Sequence, residues 1–336
     1  MGSSKAQTLV APGLGVPEPR PVPSLISRSD RLFRTGVKTV GLSTLVLLIL
    51  IGVFLLIKGY PALHSQGLGF LTNTGWQTHP TAHGPPRFGI RIALIGTVVV
   101  SVLALILALP VALASALFIS EYAPPWLKGP ATALVDLLAA VPSIIYGLWG
   151  FAFLSGHMTG LVQWLADHLA FIPLFHVTTP LYTSSQFIAG AVVGLMVVPI
   201  ITSVTREVFS LTPPAEREAA MALGASQATV IRRVVLPFGR GGLIGAVMLG
   251  LGRAMGETIA VAIILSLSFS NPWHILQSGG TTIAALIAIE NGSGGKTLGL
   301  ASLAAAGLVL FVLTLGVNLV ASRIVSRSRG AAAVEL

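Results

Sequence analysis

The 336-residue chain contains no cysteine, which removes disulfides, thiolate metal centres and a cysteine nucleophile from consideration. Charge is nearly as scarce. Only 9% of residues are Asp, Glu, Lys or Arg, against about a quarter in soluble globular chains. That deficit excludes a soluble enzyme. What fills the sequence instead is apolar: 54% of residues are hydrophobic and the mean hydropathy is +0.87, the composition of a chain that crosses a membrane several times. A net charge of +9 would suit nucleic acid, but the basic residues flank apolar runs instead of forming one patch. Membrane topology accounts for them, and no nucleic-acid partner is expected.

A helical crossing needs about 20 apolar residues. Charge-poor runs of that length lie near residues 38–58, 92–119, 129–155, 186–205, 241–267 and 299–322. The reading is an all-α polytopic membrane protein with six transmembrane helices. The first run starts behind a long polar stretch, unlike a cleaved signal peptide, so it reads as a retained helix. The preceding "APGLGVPEPRPVPS" is rich in proline and glycine, and residues 1–36 read as a disordered tail. Pro110, Pro142 and Pro199 interrupt three of the runs, which a bundle tolerates where neighbouring helices satisfy the freed carbonyls.

Basic residues orient these spans. Lys5, Arg20, Arg28, Arg31, Arg34 and Lys38 precede the first run, and Lys128, Arg206, Arg217, Arg232, Arg233, Arg240, Arg323, Arg327 and Arg329 fall on the same side. Only Lys58, Arg87, Arg91 and Lys296 fall on the other. This bias puts both termini in the cytoplasm, and an even number of crossings agrees. Residues 37–90 then form the first helix and an outer loop, 91–323 a five-helix core with a cytoplasmic loop at 207–240, and 324–336 a cytoplasmic tail. The outer stretch 156–185 has no Lys or Arg, and its "MTGLVQWLADHLAFI" reads as a short amphipathic helix on the outer surface.

The cytoplasmic loop carries "EREAAMALGASQATVIRRVVLPFGR", residues 216–240. Two short helices fit it, from about Pro214 to Leu223 and from Ser226 to Val235, with Gly224 relieving the turn and Pro237 ending the second. A unit this small is no domain, so its exposed face calls for a partner.

The spacing of this loop resembles the coupling motif of bacterial ABC importer permeases. Glu218, Ala219 and Ala220 are followed after three residues by Gly224, and after nine more by Val234 in place of isoleucine, then by Leu236 and Pro237. The resemblance implies a type I importer permease (MetI-like) fold and a loop that docks into a cleft of a separate ATPase subunit. "LGRAMGETIAV" (residues 251–261) and "DLLAAVPSIIYGLWG" (Asp136 to Gly150) narrow the likeness to PstC-type permeases of phosphate-specific importers in the bacterial plasma membrane. It covers the chain from about the second span to the end. Implied with it are a second permease of the PstA type, two copies of an ATPase of the PstB type, and an external phosphate-binding protein of the PstS type, all assembled in membrane lipid. ATP and Mg2+ would belong to the ATPase, with no cofactor and no catalytic residue in this chain. A permease for another oxyanion such as sulfate or molybdate, and a membrane scaffold or sensor that moves nothing, are the alternatives.

Two full charges lie inside the fifth run. If that helix enters from the cytoplasm near Gly241, Arg253 sits about 18 Å along its axis at 1.5 Å per residue, near the middle of a core about 30 Å thick. Glu257 follows one turn later. A charge at that depth costs at least about 3 kcal/mol, so both side chains should face the bundle interior or water. An i to i+4 pair can neutralise itself, which gives one reading: an internal salt bridge that fixes packing. In the other, which the family resemblance favours, Arg253 offers a fork of donors to a passing phosphate and Glu257 keeps the anion from being held too tightly. The glycines at 241, 245, 252 and 256 form a pattern that admits another helix. Asp136 reads as a packing or interfacial group.

Three patterns mimic other chemistry. "ENGSGGKTLG" ends like a phosphate-binding loop, but Glu290 replaces its first glycine and topology places it outside. "GLGRAMG" mimics a dinucleotide fingerprint without the acidic residue that should follow about twenty positions on. His79 and His83 have a helical metal-ligand spacing in a proline-broken loop, and no metal is expected there.

Overall fold

The computed structural model describes residues 28–77, 87–269, 273–291 and 297–332. His79, His83 and Gly295–Lys296 therefore lie outside the described residues. The chain divides into a unit ending at Ile51 and a second from Gly52 to Leu336. Helix α1 covers Arg28–Gln66, so residues 28–36, expected to belong to the tail, are helical. Within the first unit the large apolar side chains of this helix, such as Leu45 and Ile49, are exposed, as lipid contact requires. The second unit continues through the short helix α2 (Gly69–Thr72) and a two-stranded antiparallel hairpin, β1 (Trp76–Gln77) and β2 (Arg87–Phe88), in which Trp76 faces Phe88.

The centre of the second unit is the pair α3 (Arg91–Leu117) and α7 (Gln186–Ser210). Along α3, Ala93, Gly96, Val100, Ala104, Ala108, Ala112 and Ala116 are buried at spacings of three to four, a stripe that brings another backbone close. A Cβ on Gly194 of α7 would stand 3.0 Å from the Ala104 carbonyl oxygen. Pro110 and Pro199 lie inside these helices without ending them.

Pro142 does break a helix. The third run forms α4 (Pro125–Ala140), α5 (Ser143–Trp149) and α6 (Ser155–His168), with a π turn at Gly150–Leu154 joining the last two. The chain bends by 87° between α4 and α5. Val141, preceding the proline, is extended with ψ 128°, because the ring disfavours the α region for the residue before it. Tyr146 Oη donates to the Leu138 carbonyl across the bend at 2.9 Å. The segment expected as a separate surface helix thus continues, through the π turn, the helix that follows the bend. Among the described residues five further helical segments are long and apolar enough to cross alone; with the bent pair counted as one span the number is six.

After α7 come α8 (Pro214–Ala222), α9 (Gln227–Val230), a π turn at Ile231–Val235, α10 (Leu236–Met255) and α11 (Ile259–Ile264). The fifth span therefore runs over Gln227–Met255, shifted toward the N-terminus from 241–267. Pro237 does not end the preceding helix. It sits in the first turn of α10, directly after the π turn of a helical segment that runs on from Gln227 to Met255. Helix α12 (Ile283–Asn291) is buried through its first turn, Ile283 to Leu286, and α13 (Thr297–Ala332) follows, so helix extends into the segment expected to be a tail after residue 323.

Candidate functional site

Helix α10 stops where its charges lie. The Gly256 N–H still bonds the Gly252 carbonyl at 3.2 Å, and the Glu257 N–H reaches Ala254 at 3.4 Å, after which the backbone leaves the helix. Glu257 is buried and its Oε1 accepts the Ala260 N–H at 3.3 Å, capping the first turn of α11. The expected i to i+4 pair is not formed: with the helix broken at Gly256, the two side chains no longer share a face. Among the described residues Arg253 has no ion pair or hydrogen bond. It is exposed and lines an open cavity of about 610 Å³ with Gly245, Met248, Leu249 and Gly252 of α10, Ile200 of α7 and Asn318 of α13. Apart from Asn318, the surroundings are apolar. The internal salt-bridge reading falls with this geometry.

The glycines of α10 sort by face. Gly239 and Gly250 pack inside the subunit, where added Cβ atoms would meet Phe209 at 2.6 Å and Val197 at 2.7 Å. Gly245 and Gly252, from the expected close-approach set, have nothing within 4 Å. They stand beside Arg253 on the open side.

At the other end of the bundle, the loop folds as α8, a turn and α9. Gly224 has φ +84°, the left-handed conformation that favours glycine. The Ser226 hydroxyl caps α9 by accepting the Thr229 N–H at 3.4 Å. Glu218 and Ala219 are exposed and Ala220 is half-buried, while Leu236 and Pro237 are half-buried at the start of α10. Leu223 is 89% exposed, with Met221 and Leu211 also projecting. So much apolar surface on a segment of this size marks a contact face.

Glu121 is absent from the sequence reading, and Arg217 appears there only among the basic residues that orient the spans. Glu121, in the π turn Phe118–Tyr122 that extends α3, is only 4% exposed, and its Oε2 lies 3.1 Å from Nη1 of Arg217 on α8. Arg217 Nη2 also donates to the Phe209 carbonyl at 2.7 Å. No spacing rule connects positions 96 apart; the only local hint is an isolated acid in "EYAPP" beside an apolar span. Asp136, at the end of α4, is exposed and accepts the Ser203 hydroxyl at 3.0 Å.

The family described as binding-protein-dependent transport system inner membrane component matches residues 108–330. The phosphate transport system permease protein PstC 2 of Mycobacterium tuberculosis is 40% identical over 319 residues, covering 92% of this chain and 98% of that protein. The chain belongs to the PstC family of permeases. The phosphate transport system permease protein PstC of Mycobacterium leprae is 41% identical over 312 residues, with 92% and 97% coverage. The crystal structure of a bacterial ABC transporter involved in the import of the acidic polysaccharide alginate matches with a TM-score of 0.51 at 18% identity, over 88% of this chain and 99% of that one. That likeness concerns the fold alone. Membership makes the chain a multi-pass inner-membrane permease subunit of an ABC transporter, a non-catalytic component.

Proposed function

We propose that this subunit moves inorganic phosphate into the cell as half of a permease pair driven by a separate ATPase. The observation that carries the reading is Arg253: a full positive charge in the last turn of an apolar helix, free of any partner among the described residues and open to a cavity beside the unpacked glycines of α10. A cation so placed lowers the barrier that hydrocarbon presents to an anion, and its planar fork suits phosphate oxygens. The open glycine face is the natural seat of a second permease of the PstA type, with the path between the two subunits. Glu257 takes a positional role in this reading, fixing the backbone where α10 ends and so the direction of Arg253.

The segment from α8 to the start of α10 docks the ATPase. Glu218 and the exposed Ala219 face outward with Met221 and Leu223, while Ala220, Gly224, Leu236 and Pro237 shape the fold beneath them. The ATPase, present as a PstB-type dimer, holds ATP and Mg2+, and a PstS-type protein delivers phosphate from outside. The segment and both termini then face the cytoplasm, residues 37–90 form the first helix and outer loop, and 91–323 form the translocating core.

The test is labelled phosphate uptake into proteoliposomes holding the whole complex with ATP at the ATPase side, read together with hydrolysis. Arg253→Gln is expected to cut uptake about a hundredfold, the equivalent of about 3 kcal/mol, while the ATPase stays bound and active. Glu218→Ala is expected to lose or uncouple the ATPase. Uptake of sulfate or molybdate in place of phosphate overturns the substrate, and no uptake of any oxyanion by the wild type favours a scaffold.

A further inference from the structure

The docking segment is tied to the membrane helices by few polar contacts, and they converge. Arg217, the neighbour of exposed Glu218, turns inward from α8 and meets Glu121 at 3.1 Å and the Phe209 carbonyl, in the last turn of α7, at 2.7 Å. On the other arm, Gln227 at the start of α9 donates from Nε2 to the backbone carbonyl of the same Glu121 at 3.1 Å. Both short helices are thus fastened to one residue at the end of α3. Beneath them Ala116, Phe209 and Val235 form a small buried cluster.

Two features argue against a merely stabilising pair. A buried ion pair is weak grounds for stability, since apolar replacements of similar shape often do as well; its attested use is to fix one geometry. And Glu121 sits in a π turn, closed by the Ala123 N–H bonding the Phe118 carbonyl at 2.8 Å, while a second π turn at Ile231–Val235 leads into α10. Such widened turns frequently mark functional positions in helices. Apolar contacts at this junction can slide, but a guanidinium held by a carboxylate and a carbonyl has a fixed direction.

We infer that Glu121 and Arg217 form a strut that passes movement of the docking segment into α3 and α7, with Glu121 a positioning residue for coupling. This rests on the importer reading above. Displacement of α8 by the ATPase pulls on Glu121 through Arg217 and on α7 through Phe209, so the two central helices move together.

The experiment measures phosphate taken up per ATP hydrolysed in proteoliposomes of the whole complex, for wild type, Glu121→Gln, Arg217→Lys and the double variant Glu121→Gln/Arg217→Lys. Glu121→Gln is expected to retain stoichiometric bound ATPase and hydrolysis within about twofold of wild type, while phosphate per ATP falls at least about tenfold, or roughly 1.4 kcal/mol of coupling. Arg217→Lys keeps the charge but loses the fork, and its ratio falls about threefold. The double variant is no worse than Glu121→Gln, because both changes cut the same connection. Should Glu121→Gln fail to assemble, Arg217→Lys decides alone. An assembled variant with the wild-type ratio overturns the strut, as does loss of the ATPase from an otherwise folded Glu121→Gln complex, which would make the pair a docking element. A wild type that moves no phosphate removes the importer reading and the strut with it; a wild type that moves phosphate, matched by Glu121→Gln, removes the strut alone.

Discussion

Arg217 and Arg253 each lie close in sequence to a glutamate, and the two are used in opposite ways. Arg217 passes over its exposed neighbour Glu218 and pairs with Glu121, 96 positions away, in a nearly closed environment. Arg253, four residues before Glu257, has no partner among the described residues and is exposed on the side of its helix. The first arginine connects elements within the subunit; the second is left available to something outside it. Proximity in sequence decided neither case. What decided them was where the helix ends: α8 presents Arg217 inward, whereas the stop at Gly256 separates Arg253 from Glu257.

The largest effect expected from this contrast is on stability. Arg217→Gln leaves the Glu121 carboxylate buried without its counter-charge, and removing one member of such a pair is costly. Because the Arg217 side chain is 23% exposed, the expected loss is discounted to about 2–3 kcal/mol, seen as a clear fall in Tm of the purified complex in detergent. Arg253→Gln should leave Tm nearly unchanged, because it breaks no ion pair or hydrogen bond among the described residues. Equal Tm values for the two variants would break the comparison.

The central architecture was largely legible in the sequence, because helix-length apolar runs are a strong signal. The turn between α8 and α9 was legible to the residue at Gly224, where left-handed backbone favours glycine. The errors share a cause. Pro142, Pro237 and Gly256 each have more than one structural use: Pro142 separates two helices at a sharp bend, Pro237 follows a π turn inside a continuing helical segment and Gly256 closes a helix. Pro110 and Pro199, equally conspicuous, break nothing. At the candidate sites, Arg253 stood out because a charge inside an apolar run is rare. Glu121 did not, because at the edge of a span it looks like any interfacial acid, and its value comes from a partner that only the fold brings near.

A smaller effect separates shape from chemistry in the docking segment. Gly224→Ala alters no contact, since nothing lies within 4 Å of its Cβ position; it only forces a side chain into φ +84°. Left-handed backbone costs a residue with a Cβ about 1–2 kcal/mol, so binding of the ATPase should weaken by up to about tenfold with the membrane helices undisturbed. Unchanged affinity in a titration of ATPase onto the reconstituted permease would mean that the partner reshapes this turn on docking.

The smallest effect should belong to Glu257. Its structural contribution is one hydrogen bond of 3.3 Å from the Ala260 N–H, worth about 1 kcal/mol or less. A glutamine at this position still offers a carbonyl oxygen to the same donor. Glu257→Gln is therefore expected to keep uptake within about threefold of wild type, whereas Glu257→Ala, which lets the end of α10 drift, falls further. The order of these variants separates two ways a buried acid can serve a nearby arginine. If geometry is what matters, the amide substitutes and alanine does not. If Glu257→Gln stops uptake while Tm holds, the negative charge itself takes part, and Arg253 acquires a partner during transport that it lacks in this conformation.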